Sequence, residues 1–251
     1  MKLTIVETGL PPAPIRADWP RYPEMFARLL SAADGDLSFE SVALSTGAAL
    51  PDPAGLDAVL ITGSPSGVYD AEPWMGPLMD FIRWSAAAKT PLVGVCFGHQ
   101  AMAQALGGRA AKSDKGWGVG RHDYEIVARP DWLDGGLPGF ALGVSHQDQV
   151  LAPPPGARVV ATSDFTPYAA LSYETTPAIS FQGHPEFEDD YSAALYTLRR
   201  GAPVPEALAD AAIASLGAPH NNADVARWIA RFLRETRETR ARSDGAAPSP
   251  R

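Results

Sequence analysis

Cysteine is almost absent from this chain: Cys96 is the only one in 251 residues. A lone cysteine excludes an intramolecular disulfide and any metal site built on several thiolates. Histidine is scarce as well, five in all and none in a His-Glu-x-x-His spacing, so no metal or other cofactor is expected. Long apolar runs are missing, and none approaches the roughly 18 residues that cross a bilayer, which argues against a membrane protein. The opening residues Met1-Lys2-Leu3-Thr4-Ile5-Val6-Glu7 carry neither a long apolar stretch nor a small-residue cleavage site, so the expected location is the cytoplasm. A basic excess is lacking too. The net charge of -8 disfavours nucleic acid as a partner, because such binders present cations that replace phosphate counterions.

What is present, 45% hydrophobic and 20% charged residues, is the ordinary mixture of a folded protein with a large core. Short apolar runs alternate with helical spacings. Strands are expected over residues 3–7, 37–44, 57–62 and 91–95, and helices over 23–32, 74–88 and 97–106. The run Ala58-Val59-Leu60-Ile61 is apolar on both faces, as the centre of a parallel sheet requires. Pro73 stands just before the second helix, where a missing N–H costs little, and Gly107-Gly108 closes the third. This alternation predicts an α/β protein with a mostly parallel central sheet flanked by helices, ligands gathering at the carboxyl ends of its strands.

Beyond residue 118 the character changes. Runs over 118–127, 140–144, 159–162, 169–173 and 178–181 are short, broken by Gly, Pro and Asp, and read as partly antiparallel. Helices follow over 189–200, 204–216 and 222–238, the last with Val225, Trp228, Ile229, Phe232 and Leu233 along one face. We expect a single domain over 1–238 and a disordered polar tail over 239–251.

Cys96 falls at the end of an expected strand. In Gly94-Val95-Cys96-Phe97-Gly98-His99-Gln100 it stands between glycines, after a strand and before a helix. Lone cysteines are by default small buried hydrophobes. These flanks argue otherwise: a tight strand-to-helix turn needs small neighbours and sets the sulfur at a helix N-terminus, whose partial positive charge favours a thiolate.

That segment, with Ala105-Leu106-Gly107-Gly108 after it, resembles the nucleophile motif of class I glutamine amidotransferases. Gln182-Gly183-His184-Pro185-Glu186-Phe187 resembles the family's His-Pro-Glu motif, and Ile61-Thr62-Gly63-Ser64-Pro65-Ser66-Gly67-Val68 its glycine-rich loop. Val144-Ser145-His146-Gln147-Asp148-Gln149-Val150 is similar to the segment that helps hold the substrate's amino-acid end. Two positions depart from the pattern: Gly183 stands where Phe is common, and Thr62-Gly63 replaces Gly-Gly.

For the fold, the resemblance implies a flavodoxin-like sheet with a few antiparallel strands and a helical C-terminus. For the site, it implies Cys96, His184 and Glu186 as a catalytic triad, with backbone N–H groups of Gly63 and Phe97 as the oxyanion hole. Gln100, Ser145, His146 and Asp148 are implied as substrate-binding residues. Such a site would cleave the γ-amide of glutamine through a γ-glutamyl thioester, releasing glutamate and ammonia. A separate ATP-dependent synthetase or ligase is then the implied partner. The alternative is a γ-glutamyl peptidase or γ-glutamyl-amide hydrolase; a non-catalytic binding or regulatory module is a reading of another class. His99 is a rival base on the helix that follows Cys96, and Trp117 either walls the pocket or plugs the core.

Overall fold

A computed structural model describes residues 1–245. Among the described residues the strands form one nine-stranded sheet in the order β2-β1-β3-β4-β11-β10-β9-β6-β7, and a separate ladder of β5 with β8. Five neighbouring strands are parallel: β2 (Ser38–Val42), β1 (Lys2–Val6), β3 (Ala58–Ile61), β4 (Leu92–Val95) and β11 (Ala178–Phe181). β3, β4 and β11 are buried along their whole length, which is why these four-residue segments are apolar without alternation. From β11 onward the pairing turns antiparallel, through β10 (Ala170–Tyr173), β9 (Ala157–Thr162), β6 (Gly118–Ile126) and β7 (Gly139–His146). The ladder beside it pairs β5 (Arg109–Lys112) with β8 (Asp148–Ala152).

Helices cover both faces of the parallel half. On one side α1 (Tyr22–Ala33) and α6 (Asn222–Gly245) bury Phe26, Leu30, Trp228, Ile229 and Leu233 against Leu3, Ile5, Leu60 and Val93. Each such side chain contributes roughly 1.5–3 kcal/mol of transfer energy. On the other, α2 (Met75–Ala87) and α3 (Phe97–Ala105) pack Leu78, Ile82, Phe97 and Met102 on Val59, Ile61 and Leu92. A third cluster lies under α4 (Asp189–Arg199) and α5 (Glu206–Ser215), where Tyr191, Leu195 and Tyr196 meet Tyr22 and Phe187.

Several boundaries shift, most by a residue or two, and at two of them the cause is visible. The strand expected over 37–44 stops at Val42, and Leu44 opens a short 3-10 turn whose Leu44 side chain is buried. Residues 239–245 of the expected tail are helical, because α6 continues through Gly245. Local pairing carries those extra turns: the Thr239 hydroxyl donates to the Glu235 carbonyl at 2.9 Å, and Arg242 meets the Glu238 carboxylate at 3.9 Å. Arg240 also ties this stretch to the body by donating to the carbonyls of Leu56 and Asp57 at 3.3 and 3.2 Å. The remainder of the expected tail, 246–251, lies outside the described residues.

Candidate active site

Cys96 occupies the turn between β4 and α3 with φ 53° and ψ -104°, a conformation that costs a non-glycine residue about 1–3 kcal/mol. Its surroundings leave it no alternative. The Cys96 N–H donates to the Phe181 carbonyl at 2.8 Å, and the Gly98 N–H donates to the Thr62 carbonyl at 3.1 Å. A Cβ on Gly98 would overlap the carbonyl oxygen of Ile61, and one on Gly94 would lie 2.5 Å from the Met102 sulfur. Both glycines are thus needed for α3 to lie against the sheet.

His184 follows β11, the parallel neighbour of β4, so its ring comes to the same edge of the sheet as Cys96. Its N–H donates to the Gly143 carbonyl of β7 at 2.9 Å, and its ring stacks on Phe187 with centroids 3.9 Å apart and planes 4° from parallel. Nδ1 lies 2.8 Å from Glu186 Oε1, with both side chains buried, and the Cys96 sulfur is near enough to act on the charge of the same imidazole. Burial by itself would make this histidine hard to protonate. The negative charge of Glu186 and the sulfur of Cys96 outweigh that and push its pKa up to about 10. Sulfur, imidazole and carboxylate therefore lie side by side in one buried group.

Gly63 lies against this group. A Cβ there would stand 3.0 Å from His184 Cε1 and 3.7 Å from Cys96 Cβ. Among the described residues no hydrogen bond uses the amide of Gly63 or of Phe97, so two N–H donors beside the sulfur remain free. The departure at Thr62 has a structural role: the Thr8 N–H donates to Thr62 Oγ1 at 3.1 Å, and that hydroxyl donates to the Gly63 carbonyl at 3.1 Å. The other departure is compensated by packing. The space beyond Gly183 is filled by Leu142, 2.9 Å from where a Cβ would sit, with the Tyr124 hydroxyl at 3.4 Å.

Two cavities meet at Cys96. The first, about 490 Å³, is polar and includes Gln100, Trp117, Ser145, His146, Asp148 and Arg199 in its wall. Here Gln100 Nε2 donates to the Asp148 carbonyl at 2.8 Å and to Gln182 Oε1 at 3.2 Å, so it braces the wall. Tyr69 donates to Asp148 Oδ1 at 3.1 Å, and burial raises the Asp148 pKa above the usual carboxylate value. His146 is turned inward, Nδ1 3.0 Å from the Asp148 carbonyl, and burial depresses its pKa to about 3, so it is a neutral prop for the turn. The second cavity, about 480 Å³, also reaches Cys96 and Ser145; it adds His184, Tyr22, Phe187, Leu195 and Leu198 and is largely apolar.

The remaining sequence candidates sort clearly. Cys96, Gly63, Phe97, His184 and Glu186 come together, and Gln100, Ser145, His146 and Asp148 line the polar cavity. His99 does not join them. Its Nδ1 lies 2.7 Å from Ser180 Oγ and burial holds its pKa near about 3, so it is a neutral packing group. Trp117 does wall the cavity. Sequence reasoning missed Arg199, whose Nη1 donates to Ser145 Oγ at 2.5 Å and whose guanidinium lies 5.6 Å over the Trp117 ring. No local motif marks it, since only the packing of α4 brings it to a residue 54 positions away. Among the described residues no cluster of three or more His, Cys, Asp or Glu is placed to hold a metal ion.

A sulfur on a strand-to-helix turn, beside a buried imidazole and carboxylate at the edge of an α/β sheet, has the geometry of a cysteine-dependent acyl-transfer site. The chain belongs to the glutamine amidotransferase class-I family, whose model matches residues 36–194. It is 33% identical over 138 residues to a glutamine-hydrolyzing GMP synthase subunit of Ignicoccus hospitalis, covering 55% of this chain and 71% of that one. A glutamine-hydrolyzing GMP synthase of Thermus thermophilus is 38% identical over 133 residues, covering 51% of this chain but only 24% of that longer protein. A solved glutamine amido transferase from Methylobacillus flagellatus shares the fold, with a TM-score of 0.75 at 20% identity over 95% of this chain and 94% of that one. No helix among the described residues is long and apolar enough to cross a membrane.

Proposed function

We propose that the protein hydrolyses the γ-amide of glutamine by nucleophilic attack of Cys96. Sγ bonds to the γ-carbonyl carbon, and the developing oxyanion is held by the amides of Gly63 and Phe97. Losing one such donor typically costs on the order of 3 kcal/mol of barrier. The C–N bond then breaks as His184 passes its proton to the nitrogen, so ammonia leaves and a γ-glutamyl thioester remains. Water, deprotonated by the same imidazole, attacks the thioester carbon; the C–S bond breaks and glutamate is released with the cysteine regenerated. Glu186 orients His184 and stabilises its charged form throughout.

The observation that carries this reading is the buried group of Cys96, His184 and Glu186, with two unused amides alongside. The test is glutamate release from glutamine by the purified protein, alone and with an ATP-dependent synthetase added. Cys96→Ala should abolish it, and an unchanged rate would overturn the mechanism. A separate synthetase or ligase as recipient of the ammonia is supported by the likeness to a chain whose name makes it one part of a multi-chain GMP synthase.

One observation favours a second reading, hydrolysis of a substituted γ-glutamyl amide. The apolar cavity opens beside His184, where the leaving nitrogen must collect its proton, and at about 480 Å³ it is far larger than ammonia requires. Release from glutamine only with a synthetase present would sink this second reading. Fast turnover of a bulky γ-glutamyl arylamide alone would sink the ammonia-donor reading.

A further inference from the structure

Glu186 is approached from two directions. Its Oε1 meets His184, which lines a cavity in front of Cys96. Glu186 itself lines a third cavity, about 460 Å³, walled by α1 and α6 and containing neither Cys96 nor His184. This cavity lies behind the triad, and Pro185 and Glu186 form its inner end.

Two buried oxygens there lack a donor. Among the described residues no N–H or O–H meets Glu186 Oε2 or Asn222 Oδ1. Asn222 begins α6 and lines the same cavity, and its Nδ2 donates to the Phe187 carbonyl at 2.7 Å, which ties it to the residue next to Glu186. A buried acceptor with no donor is costly, and two of them on one cavity suit a molecule that carries several N–H groups. The body of the cavity is apolar, with Met25, Leu29 and Ala33 from α1 facing Ala226 from α6. The cations on its wall are already matched. Arg28 pairs with Glu188 at 3.0 Å, Arg227 pairs with Asp224, and His220 Nε2 lies 3.6 Å from Asp189 Oδ1. These pairings leave the two inner oxygens unanswered and offer no free cation to an anionic ligand.

We propose that this cavity is a second binding site, taking a primary alkylammonium whose charged head donates to Glu186 Oε2 and Asn222 Oδ1 while its alkyl chain lies between α1 and α6. An ammonium brings three donors and a charge opposite to that of the carboxylate; a hydroxyl brings one donor and no charge, and a carboxylate brings neither. The ligand touches the carboxylate that holds His184 without entering the space in front of Cys96, so its presence is felt at the triad from behind. The site is the same whichever amide Cys96 attacks.

Calorimetric titration of the full chain with n-hexylammonium, hexan-1-ol and hexanoate near neutral pH tests this. The ammonium should bind roughly ten- to a hundredfold more tightly than the alcohol, and hexanoate should bind least. Glu186→Gln should remove most of that advantage. Ala32→Leu and Ala223→Leu, at exposed positions in the cavity wall on the two helices, should each weaken the ammonium roughly tenfold by filling the space, with the urea midpoint little changed. In the unaltered chain the imidazole NMR signals of His184 should move on saturation with n-hexylammonium, and in the Ala32→Leu chain they should not. The proposal is overturned if the ammonium does not bind, if the alcohol or hexanoate binds as tightly, or if Glu186→Gln leaves its affinity unchanged. It is overturned equally if both leucine variants keep full affinity, which would put the ligand in a cavity at Cys96, or if the His184 signals stay still.

Discussion

Glu186→Gln keeps the size of the side chain and removes one negative charge beside the buried His184 ring, whose Nδ1 lies 2.8 Å from the carboxylate. Unit charges about 4 Å apart interact by about 4 kcal/mol at an effective dielectric of about 20. The glutamine oxygen still accepts a neutral hydrogen bond worth about 1 kcal/mol, so about 3 kcal/mol is lost from the protonated imidazole. That is roughly two pKa units, which moves the alkaline limb of the rate profile from about 10 to about 8. The sign follows from the charge: removing an anion disfavours the cation, so His184 surrenders its proton at lower pH. At neutral pH the variant's His184 would still be mostly protonated, so kcat should fall mainly above about pH 8, reaching roughly fiftyfold near about pH 10.

Stability offers an independent readout. His184 has a folded pKa raised above its ordinary value of 6.5, so its contribution is fully present below about 6.5 and lost as pH rises through about 10. The stability gap between the unaltered chain and the variant should therefore close from neutral pH toward about 10. Glutamate release and urea midpoints across that range would check both statements. A variant that keeps kcat within about twofold and the same alkaline limb would refute the electrostatic role given to Glu186.

Two glycine substitutions separate folding from chemistry. Gly98→Ala drives a methyl into the Ile61 carbonyl, which cannot move without shifting β3, and should destabilise the fold by about 3 kcal/mol in urea denaturation; native stability would refute the packing argument. Gly63→Ala places a methyl 3.0 Å from His184 Cε1, so kcat for glutamine should fall roughly a hundredfold with the urea midpoint little changed, and retained kcat would detach this loop from the site.

The legible parts of the sequence were those whose requirements are local. A strand-to-helix turn that must bring a helix onto a sheet demands glycine at 94 and 98, so Cys96 carries its context within a few residues. His184 and Glu186 lie two residues apart, and their pairing needs no distant partner to be recognised. β5 escaped notice because Arg109-Ala110-Ala111-Lys112 has no strong strand formers; it is a strand only because β8 lies opposite. The segment 144–150, which resembles a substrate-holding one, spans the end of β7 and the start of β8 with Gln147 as the joint, and Ser145 to Asp148 line the cavity. His146, implied by the resemblance as substrate-binding, lines the polar cavity, and its Nδ1 is engaged by the Asp148 carbonyl, a partner that no short motif records.

The position of the site follows from the change of pairing at β11. Because β11 runs parallel to β4, Cys96 and the segment holding His184 leave the sheet at the same edge. Because β10 pairs with β11 antiparallel, the chain on that side folds back as a wing, and its β7 receives His184 through Gly143. The parallel half thus supplies the sulfur and the free amides of Gly63 and Phe97, while the wing and its neighbouring ladder supply Ser145 and Asp148. Ser145 in turn meets Arg199 from α4. On the proposed reading, attack is built on the parallel half and recognition on the antiparallel wing and the separate ladder beside it. Substitutions at Ser145, Asp148 or Arg199 should change which amide is accepted while leaving intact the register of β4 and β11, on which the approach of Cys96 to His184 depends.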